Sequence, residues 1–286
     1  MAGIADDMPG GPLAELALVP SPPASYRWLR MAGWGFARVF SVLALAVAWE
    51  VAARSGAFTP YMLPALSAVL ERIWNDLVQG ELLLNTGVTL YRALTGFLIG
   101  AVAGIVLGMA ISRNAIANWF FDPIISVGFP MPKIAFLPVV ILWLGVYDVS
   151  KITMIAVEAI FPVVTATIIG IRGVERELLW SARNMGAGER ELLWQVALPA
   201  ALPQIITGLQ VALPIALIVA IVTEMFMGGY GLGGAMNTAS RFADSRGVFA
   251  GIVEIAVVGY ALVKIGSLIR RRLLLWHQEA VAPSTV

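Results

Sequence analysis

Residues that could carry out catalysis or bind a metal are scarce in this chain. The sequence contains no cysteine and a single histidine, His277, near the C-terminus. The usual nucleophile–base pairs and metal sites therefore cannot be assembled from it. A phosphate-binding P-loop needs a glycine before its lysine, and none of the three lysines in this chain follows a glycine. The sequence thus predicts a non-catalytic chain that binds no cofactor or metal of its own.

Five charged residues lie inside or near the ends of long apolar stretches, namely Glu50, Lys133, Glu158, Glu224 and Glu254. An unpaired charge in hydrocarbon is costly, so each should face protein or water. Glu50 and Glu254 fit positions at a membrane interface. For Lys133 two hypotheses stay open: attraction of an anionic solute, or pairing with Glu158 or Glu224. Glu224 either shapes the outer end of a pathway or makes a helix contact.

The composition indicates that these charges sit in a membrane protein. Of 286 residues, 59% are hydrophobic and 13% are charged, with a mean hydropathy of +0.84. Soluble domains average about 45–50% apolar and about 25% charged residues. A net charge of +1 without a basic block excludes a nucleic-acid-binding face. We therefore expect an all-α, polytopic integral membrane protein with about six transmembrane helices.

Six apolar stretches are long enough to be membrane spans. They are residues 36–53, 88–111, 119–145, 150–169, 205–227 and 248–269. The third contains four prolines, which break the helical hydrogen-bond ladder, so we expect it to face neighbouring helices or a pathway. The second carries glycines at positions 96, 100, 104 and 108, a stripe that lets another helix approach closely. A short amphipathic stretch at 69–77 is placed on the outer surface.

The distribution of basic residues predicts the orientation. Twelve of the nineteen lysines and arginines fall on segments that are internal if the N-terminus is cytoplasmic, as the positive-inside rule requires. Both termini are therefore expected in the cytoplasm. The predicted domains are a disordered cytoplasmic tail at 1–35, a transmembrane domain at 36–270 and a cytoplasmic tail at 271–286.

The longest internal loop, residues 171–203, contains the string Glu-Arg-Glu-Leu-Leu-Trp twice, at 175 and at 189. Each copy is expected to start a short helix, with Gly186 and Gly188 allowing a sharp turn between them. On the first helix, residues 178, 182 and 185 share one face by their spacing. Pro199 and Pro203 are expected to end the second helix. This helix-turn-helix knob is either a solvated loop folded on itself or a docking surface for a cytoplasmic partner.

The knob resembles the coupling loop of ABC importer membrane subunits, whose pattern is Glu-Ala-Ala, three residues, Gly, nine residues, Ile, any residue, Leu-Pro. Trp180-Ser181-Ala182 stands at the Glu-Ala-Ala position, with Trp180 in place of the acid. Gly186 stands at the glycine, and Val196 to Pro199 at the end of the pattern. The resemblance implies that the contact with an ATPase involves Glu177, Trp180, Ser181, Ala182, Arg183, Gly186, Ala187, Gly188, Glu189, Val196, Leu198 and Pro199.

Further segments resemble the nitrate, sulfonate, taurine and bicarbonate branch of these permeases. They include the proline-rich stretch at 130–138, the Leu-Trp-Leu-Gly at 142–145 and the Thr-Glu-Met at 223–225. This implies a type I ABC importer permease fold in the bacterial inner membrane and a pathway for a small anionic solute. The implied partners are two ATPase subunits holding ATP and Mg, a second membrane subunit, by default an identical copy, and a periplasmic or lipid-anchored binding protein. The alternatives are a stand-alone secondary transporter or channel, an intramembrane enzyme and a non-transporting scaffold.

Overall fold

The computed structural model describes residues 40–274, which contain helices and short connections but no strand. The chain divides into two units, Met1–Ala57 and Phe58–Val286. In the first unit, helix α1 covers residues 40–54, and Arg54 donates to Glu50 at 2.6 Å. Some of the predictions lie outside the described residues. They concern residues 36–39 of the first predicted span, the tail expected at 1–35 and most of the tail expected at 271–286.

The second unit is built from helices joined by short turns, which confirms the all-α class. In chain order they are α2 (Leu66–Val78), α3 (Glu81–Arg113), α4 (Ala115–Gly128), a 3₁₀ helix (Lys133–Phe136), α5 (Leu137–Leu144), α6 (Asp148–Arg172), α7 (Arg176–Asn184), α8 (Glu189–Glu191), a π-helical segment (Leu192–Ala197), α9 (Leu198–Met227), α10 (Leu232–Arg241) and α11 (Ser245–Leu273). Helix α11 thus extends three residues past the predicted end of the transmembrane domain.

Within residues 40–274, four segments are long and apolar enough to cross a membrane: Glu81–Arg113, Asp148–Arg172, Glu189–Arg241 and Ser245–Leu273. Helix α4 and the stretch Lys133–Leu144 qualify together as a fifth, but the chain bends there by 94°. The third predicted span is therefore broken or re-entrant. Pro130 and Pro132 stand in the break, where their missing N–H groups interrupt the helix. This count of four or five candidate spans is roughly consistent with the expected six.

Helices α3 and α6 pack along each other through the predicted glycine stripe. Gly96, Gly100, Gly104 and Gly108 are all buried against α6. A Cβ atom added at Gly100 would lie 2.6 Å from the Ala156 carbonyl oxygen and 2.8 Å from the Ala159 Cβ. One at Gly108 would lie 2.6 Å from the Thr167 Cβ. The backbones are therefore too close for any side chain larger than hydrogen, which explains the four-residue repeat.

The helices of the second unit define two ends. Helices α3 and α6 both run toward the knob (residues 171–203), and α9 runs back from it. We call this the knob end. The opposite end holds residues 228–231, where three glycines have positive φ angles, and we call it the glycine-loop end. Functional residues collect at both ends, and the close-packed apolar helices lie between them.

Replacing Gly100 with alanine tests the close approach of α3 and α6. We expect Gly100→Ala to destabilise the chain by about 1–3 kcal/mol, because the added methyl overpacks the contact. Gly87→Ala is the matched control on the same helix, since an added Cβ there meets nothing within 4 Å. Thermal unfolding in detergent measures both variants. Equal melting temperatures for the two variants would contradict the packing.

Candidate functional site

The knob folds as two short helices joined by a tight turn. Helix α7 ends where the amide of Gly186 donates to the Arg183 carbonyl at 2.9 Å and that of Ala187 to the Ala182 carbonyl at 3.0 Å. Gly186 has a φ of +89°, a left-handed conformation that glycine adopts without strain. The amide of Gly188 then donates to the Glu191 carboxylate at 2.9 Å, which fixes the start of α8. The turn lies where the sequence predicted it.

The prediction that Pro199 and Pro203 end the second helix is wrong. Helix α8 continues through the π-helical segment Leu192–Ala197 into α9, which contains both prolines. A π-helical turn shifts the hydrogen-bond register. Pro199 directly follows this segment and stands in the first turn of α9, where a missing N–H is tolerated. The knob is consequently joined to a membrane-crossing helix without a break.

The first knob helix turns large apolar side chains away from the protein. Among the three residues predicted to share a face, Ala182 is buried, whereas Leu178 and Met185 are exposed. Met185 exposes 80% of its surface and Trp180 58%. Val174 and Leu192, which precede and follow α7, are buried as well. The knob thus buries the small side chain of Ala182 and exposes large apolar side chains on α7 and directly after it.

Glu189 fastens the knob to the membrane helices. Its carboxylate forms ion pairs with Arg113, at the end of α3, and with Arg183 of α7 at 3.2 Å. The remaining coupling-loop residues at 177, 181, 186, 188 and 199 are exposed, and those at 187, 196 and 198 are half-buried. The coupling-loop pattern in the sequence includes Arg183 and Glu189 but does not connect either with Arg113, because only the fold brings α3 to the knob.

At the glycine-loop end the structure holds a buried ion pair between Arg92 of α3 and Glu224 of α9. Arg92 Nη1 lies 2.7 Å from Glu224 Oε1, and Glu224 is fully buried. Glu224 also accepts from the Thr89 hydroxyl at 2.8 Å and the Gly233 amide at 3.1 Å. Arg92 Nη2 lies 2.7 Å from Asp148. We call Thr89, Arg92, Asp148 and Glu224 the Arg92 cluster.

The Arg92 cluster and its neighbours hold the glycine loop in place. Arg92 donates to the Tyr230 carbonyl at 2.6 Å, and Lys151 donates to the Gly228 carbonyl at 2.8 Å. The amide of Gly231 donates to the Asn85 side chain at 2.9 Å. Gly231 has a φ of +122°, and a Cβ there would collide with the Glu224 carboxylate. The loop needs glycine at this position for both reasons.

Lys133 is placed in the break between α4 and α5, and it is buried. Its ammonium lies 3.4 Å from Glu158, donates to the Gly128 carbonyl at 3.0 Å and stands 4.4 Å from the centre of the Phe161 ring. These contacts favour the helix-pairing hypothesis over attraction of an anion. Glu254, which was expected at an interface, is instead buried, with one oxygen lacking a partner among the described residues.

A cavity of about 560 Å³ opens at the glycine-loop end between α2, α3 and α10. Arg72 at its edge pairs with Asp76 at 2.8 Å and with Asp244 at 2.9 Å. The hydrogen bond to Asp76 raises the pKa of Arg72 above its ordinary value, so its charge is fixed. Glu81 and Asn85 also line the cavity. Because both signs of charge are present, the lining alone does not select an anion.

The sequence places Arg92 near the outer side but does not pair it with Glu224. It does contain a signal that Arg92 has a buried partner. Asn85, Thr89 and Arg92 follow one another at four- and three-residue intervals and lead into Gly96. They therefore lie on the helix face that carries the glycine stripe, which must meet another helix. Polar residues on such a face predict a buried partner.

The knob and the membrane helices together define a permease subunit, and comparison with known proteins gives its family. Residues 100–274 match the family described as the binding-protein-dependent transport system inner membrane component. The chain belongs to this family and is a membrane-spanning subunit of an ABC importer. Proteins of this family work with ATPase and solute-binding partners. The chain is accordingly a multi-pass protein of the bacterial inner membrane.

Individual relatives indicate to which branch of the family the chain is similar. The chain is 33% identical to a Bacillus subtilis (strain 168) protein named as an aliphatic sulfonates transport permease, SsuC, over 86% of this chain and 89% of that protein. It is 29% identical to the taurine transport system permease protein TauC of Escherichia coli (strain K12), over 82% and 87%. A solved MetNI methionine ABC transporter chain shares the fold, with a TM-score of 0.55 and 21% identity over 71% of this chain and 98% of that one.

The Arg92–Glu224 pair predicts a strong, coupled effect of mutation on stability. Arg92→Met should cost about 3–5 kcal/mol, because it leaves the Glu224 carboxylate buried without its cation. Adding Glu224→Gln to Arg92→Met should cost much less than Glu224→Gln does alone, since residues in direct contact are non-additive. Thermal unfolding of the two single variants and the double variant measures this coupling.

The control for this cycle is Arg241→Met, at an exposed position of α10 at the same end. It should change stability by no more than about 0.5 kcal/mol. Additive effects of the two substitutions at 92 and 224 would mean that the ion pair contributes nothing specific.

Proposed function

We propose that two identical copies of this chain form the translocation pathway of the importer, and that each knob contacts one of two separate ATPase subunits, which hold ATP and Mg. The observation that carries this proposal is the exposure of large apolar side chains on α7 and directly after it. Trp180 and Met185 project from a segment beyond the ends of the membrane-crossing helices. Exposed apolar patches of this kind mark protein interaction sites. A solvated loop folded on itself would have no reason to turn these side chains outward.

The geometry also suggests how the contact is transmitted. The π-helical segment joins α8 to α9 without a break, and Glu189 ties α8 to the end of α3. A displacement of the knob by an ATPase would therefore move the knob ends of two membrane helices together. Because a helix is stiff over this length, the displacement would reach the helices that surround the pathway. The coupling between the ATPase and the membrane helices that we propose is mechanical, and this chain carries out no hydrolysis.

We further propose that the knob and both termini lie in the cytoplasm. Arginines gather at the knob end, with Arg113 and Arg172 closing α3 and α6 and residues 270–272 in the last turn of α11. Basic residues beside membrane helices are retained on the cytoplasmic side. The ATPases need ATP from the cytoplasm, so the same orientation places the knob where its partner works.

Met185→Glu tests the docking surface. A carboxylate forced into an apolar contact costs more than ~1.4 kcal/mol, so the ATPase that co-purifies with the tagged chain should fall at least about tenfold. Quantitative mass spectrometry of the purified complex gives the ratio. Ile116→Glu is the control, because Ile116 is also highly exposed and lies at the start of α4 rather than on the knob. Equal ATPase recovery from the two variants would contradict the docking role of α7.

For the solute, we propose a small organic sulfonate such as taurine, delivered by a periplasmic or lipid-anchored binding protein. Support comes from the names of the two relatives, whose similarity covers more than four-fifths of this chain. The buried cations do not add to this argument. Lys133, Arg92 and Lys151 are all occupied by carboxylates or carbonyl groups. The binding protein is therefore expected to make most of the selection.

Growth on a defined sulfur source tests the solute. Deleting the gene should abolish growth with taurine or a short alkanesulfonate as the only sulfur source, while growth on sulfate is unchanged. Complementation with the intact chain should restore it. Unchanged growth on sulfonates, with loss of nitrate- or bicarbonate-dependent growth instead, would overturn the sulfonate proposal and leave the ABC importer assignment intact.

A further inference from the structure

A second cavity, of about 330 Å³, lies at the knob end between the ends of α3 and α6 and the two knob helices. Four arginines line it: Arg113 from α3, Arg172 from α6, and Arg176 and Arg183 from α7. The single carboxylate in the lining is Glu189, and Ser112 contributes a hydroxyl. The volume falls within the range of about 300–1,000 Å³ typical of small-molecule sites. The cavity is therefore large enough for a ligand and strongly biased toward an anion.

Among residues 40–274, the acids do not neutralise all of these arginines. Glu189 serves both Arg113 and Arg183. Arg172 donates to the neutral amide oxygen of Asn118 at 2.8 Å. Within residues 40–274, the side chain of Arg176 has no hydrogen-bond or ion-pair partner. At least two of the arginines that line the cavity thus lack a carboxylate of their own among these residues.

Helix dipoles do not account for all four arginines. Arg113 and Arg172 lie in the last turns of α3 and α6, where a cation balances the negative helix end. Arg176, however, occupies the first position of α7, where the helix end is positive and a cation is unfavourable. Its position beside the other arginines is explained better by a shared anionic ligand than by the needs of its own helix.

We propose that this arginine cavity binds a phosphate group. A guanidinium presents a rigid fork of donors that matches the paired oxygens of a phosphate, and such charge-assisted contacts are the strong ones. Ser112 also lines the wall, but its hydroxyl donates to the Gly108 carbonyl at 2.7 Å, so the arginines supply the donors. The apolar neighbours Ile171 and Leu179 would contact the organic part of an amphiphilic ligand. Phosphate bound here would join α3 and α6 to α7 and so set the position of the knob.

The phosphate has two possible sources. In the orientation proposed above, the cavity lies at the level of the lipid headgroups of the cytoplasmic leaflet, where basic pockets between helices bind anionic lipids. The other source is a free phosphate in the cytoplasm. The chemistry of recognition is the same for both, so the experiment needs one arm for each.

The full chain, purified with the subunits that accompany it, is exchanged into phosphatidylcholine micelles containing a minor fraction of phosphatidylglycerol, and retained lipid is quantified. Arg172→Gln/Arg176→Gln should lower phosphatidylglycerol retention at least about tenfold, because each lost charge-assisted contact weakens binding severalfold or more. Arg271→Gln/Arg272→Gln removes the same charge at the end of α11, away from the cavity lining. This control should keep retention near that of the unsubstituted chain.

In the second arm, the same three proteins in phosphatidylcholine alone are titrated with inorganic phosphate while thermal unfolding is followed. Saturable stabilisation that the 172/176 variant loses and the 271/272 variant keeps would support a free phosphate as the ligand. If neither lipid retention nor phosphate stabilisation distinguishes the two variants, the proposal is overturned. Neither arm depends on ATPase binding to α7, so these results and the Met185→Glu result are independent.

Discussion

The contact between α3 and α6 is the interaction on which the rest of the structure depends. In a bilayer, apolar side chains gain little by leaving lipid for protein, so helices associate through close packing and internal hydrogen bonds. The glycines from 96 to 108 supply the close packing, with backbone approaching backbone. Toward the glycine-loop end the same helix face continues with Asn85, Thr89 and Arg92. One face of one helix thus carries both kinds of contact.

This arrangement determines where charge can be buried. Arg92 can lie in the protein interior because Glu224, Asp148 and a loop carbonyl satisfy it. The glycine loop is in turn held by the same groups, so the end of α9, the start of α6 and the loop form one connected unit. At its other end α3 reaches the knob through Arg113 and Glu189. Helix α3 therefore connects the buried ion pair with the proposed coupling surface.

The sequence predicted those features that depend on periodicity or local geometry: the helical class, the spans, the glycine stripe and the turn at Gly186. It missed features that depend on how distant segments meet. Arg92 and Glu224 are 132 residues apart, and nothing local identifies them as partners. Pro199 was expected to end a helix because its ring removes a donor, but it stands in the first turn of α9, directly after a π-helical segment. The prolines of the third span predicted that its helix is interrupted, but they did not predict a bend of 94°.

The central claim is that this chain moves its solute by coupling to a separate ATPase. The most direct measurement is uptake of labelled solute into proteoliposomes that contain the complete transporter, with binding protein outside and ATP inside. The account predicts accumulation that requires hydrolysable ATP, requires the binding protein and persists when ionophores collapse the ion gradients. Uptake without ATP by this chain alone, abolished by the ionophores, would contradict the account and identify a secondary transporter.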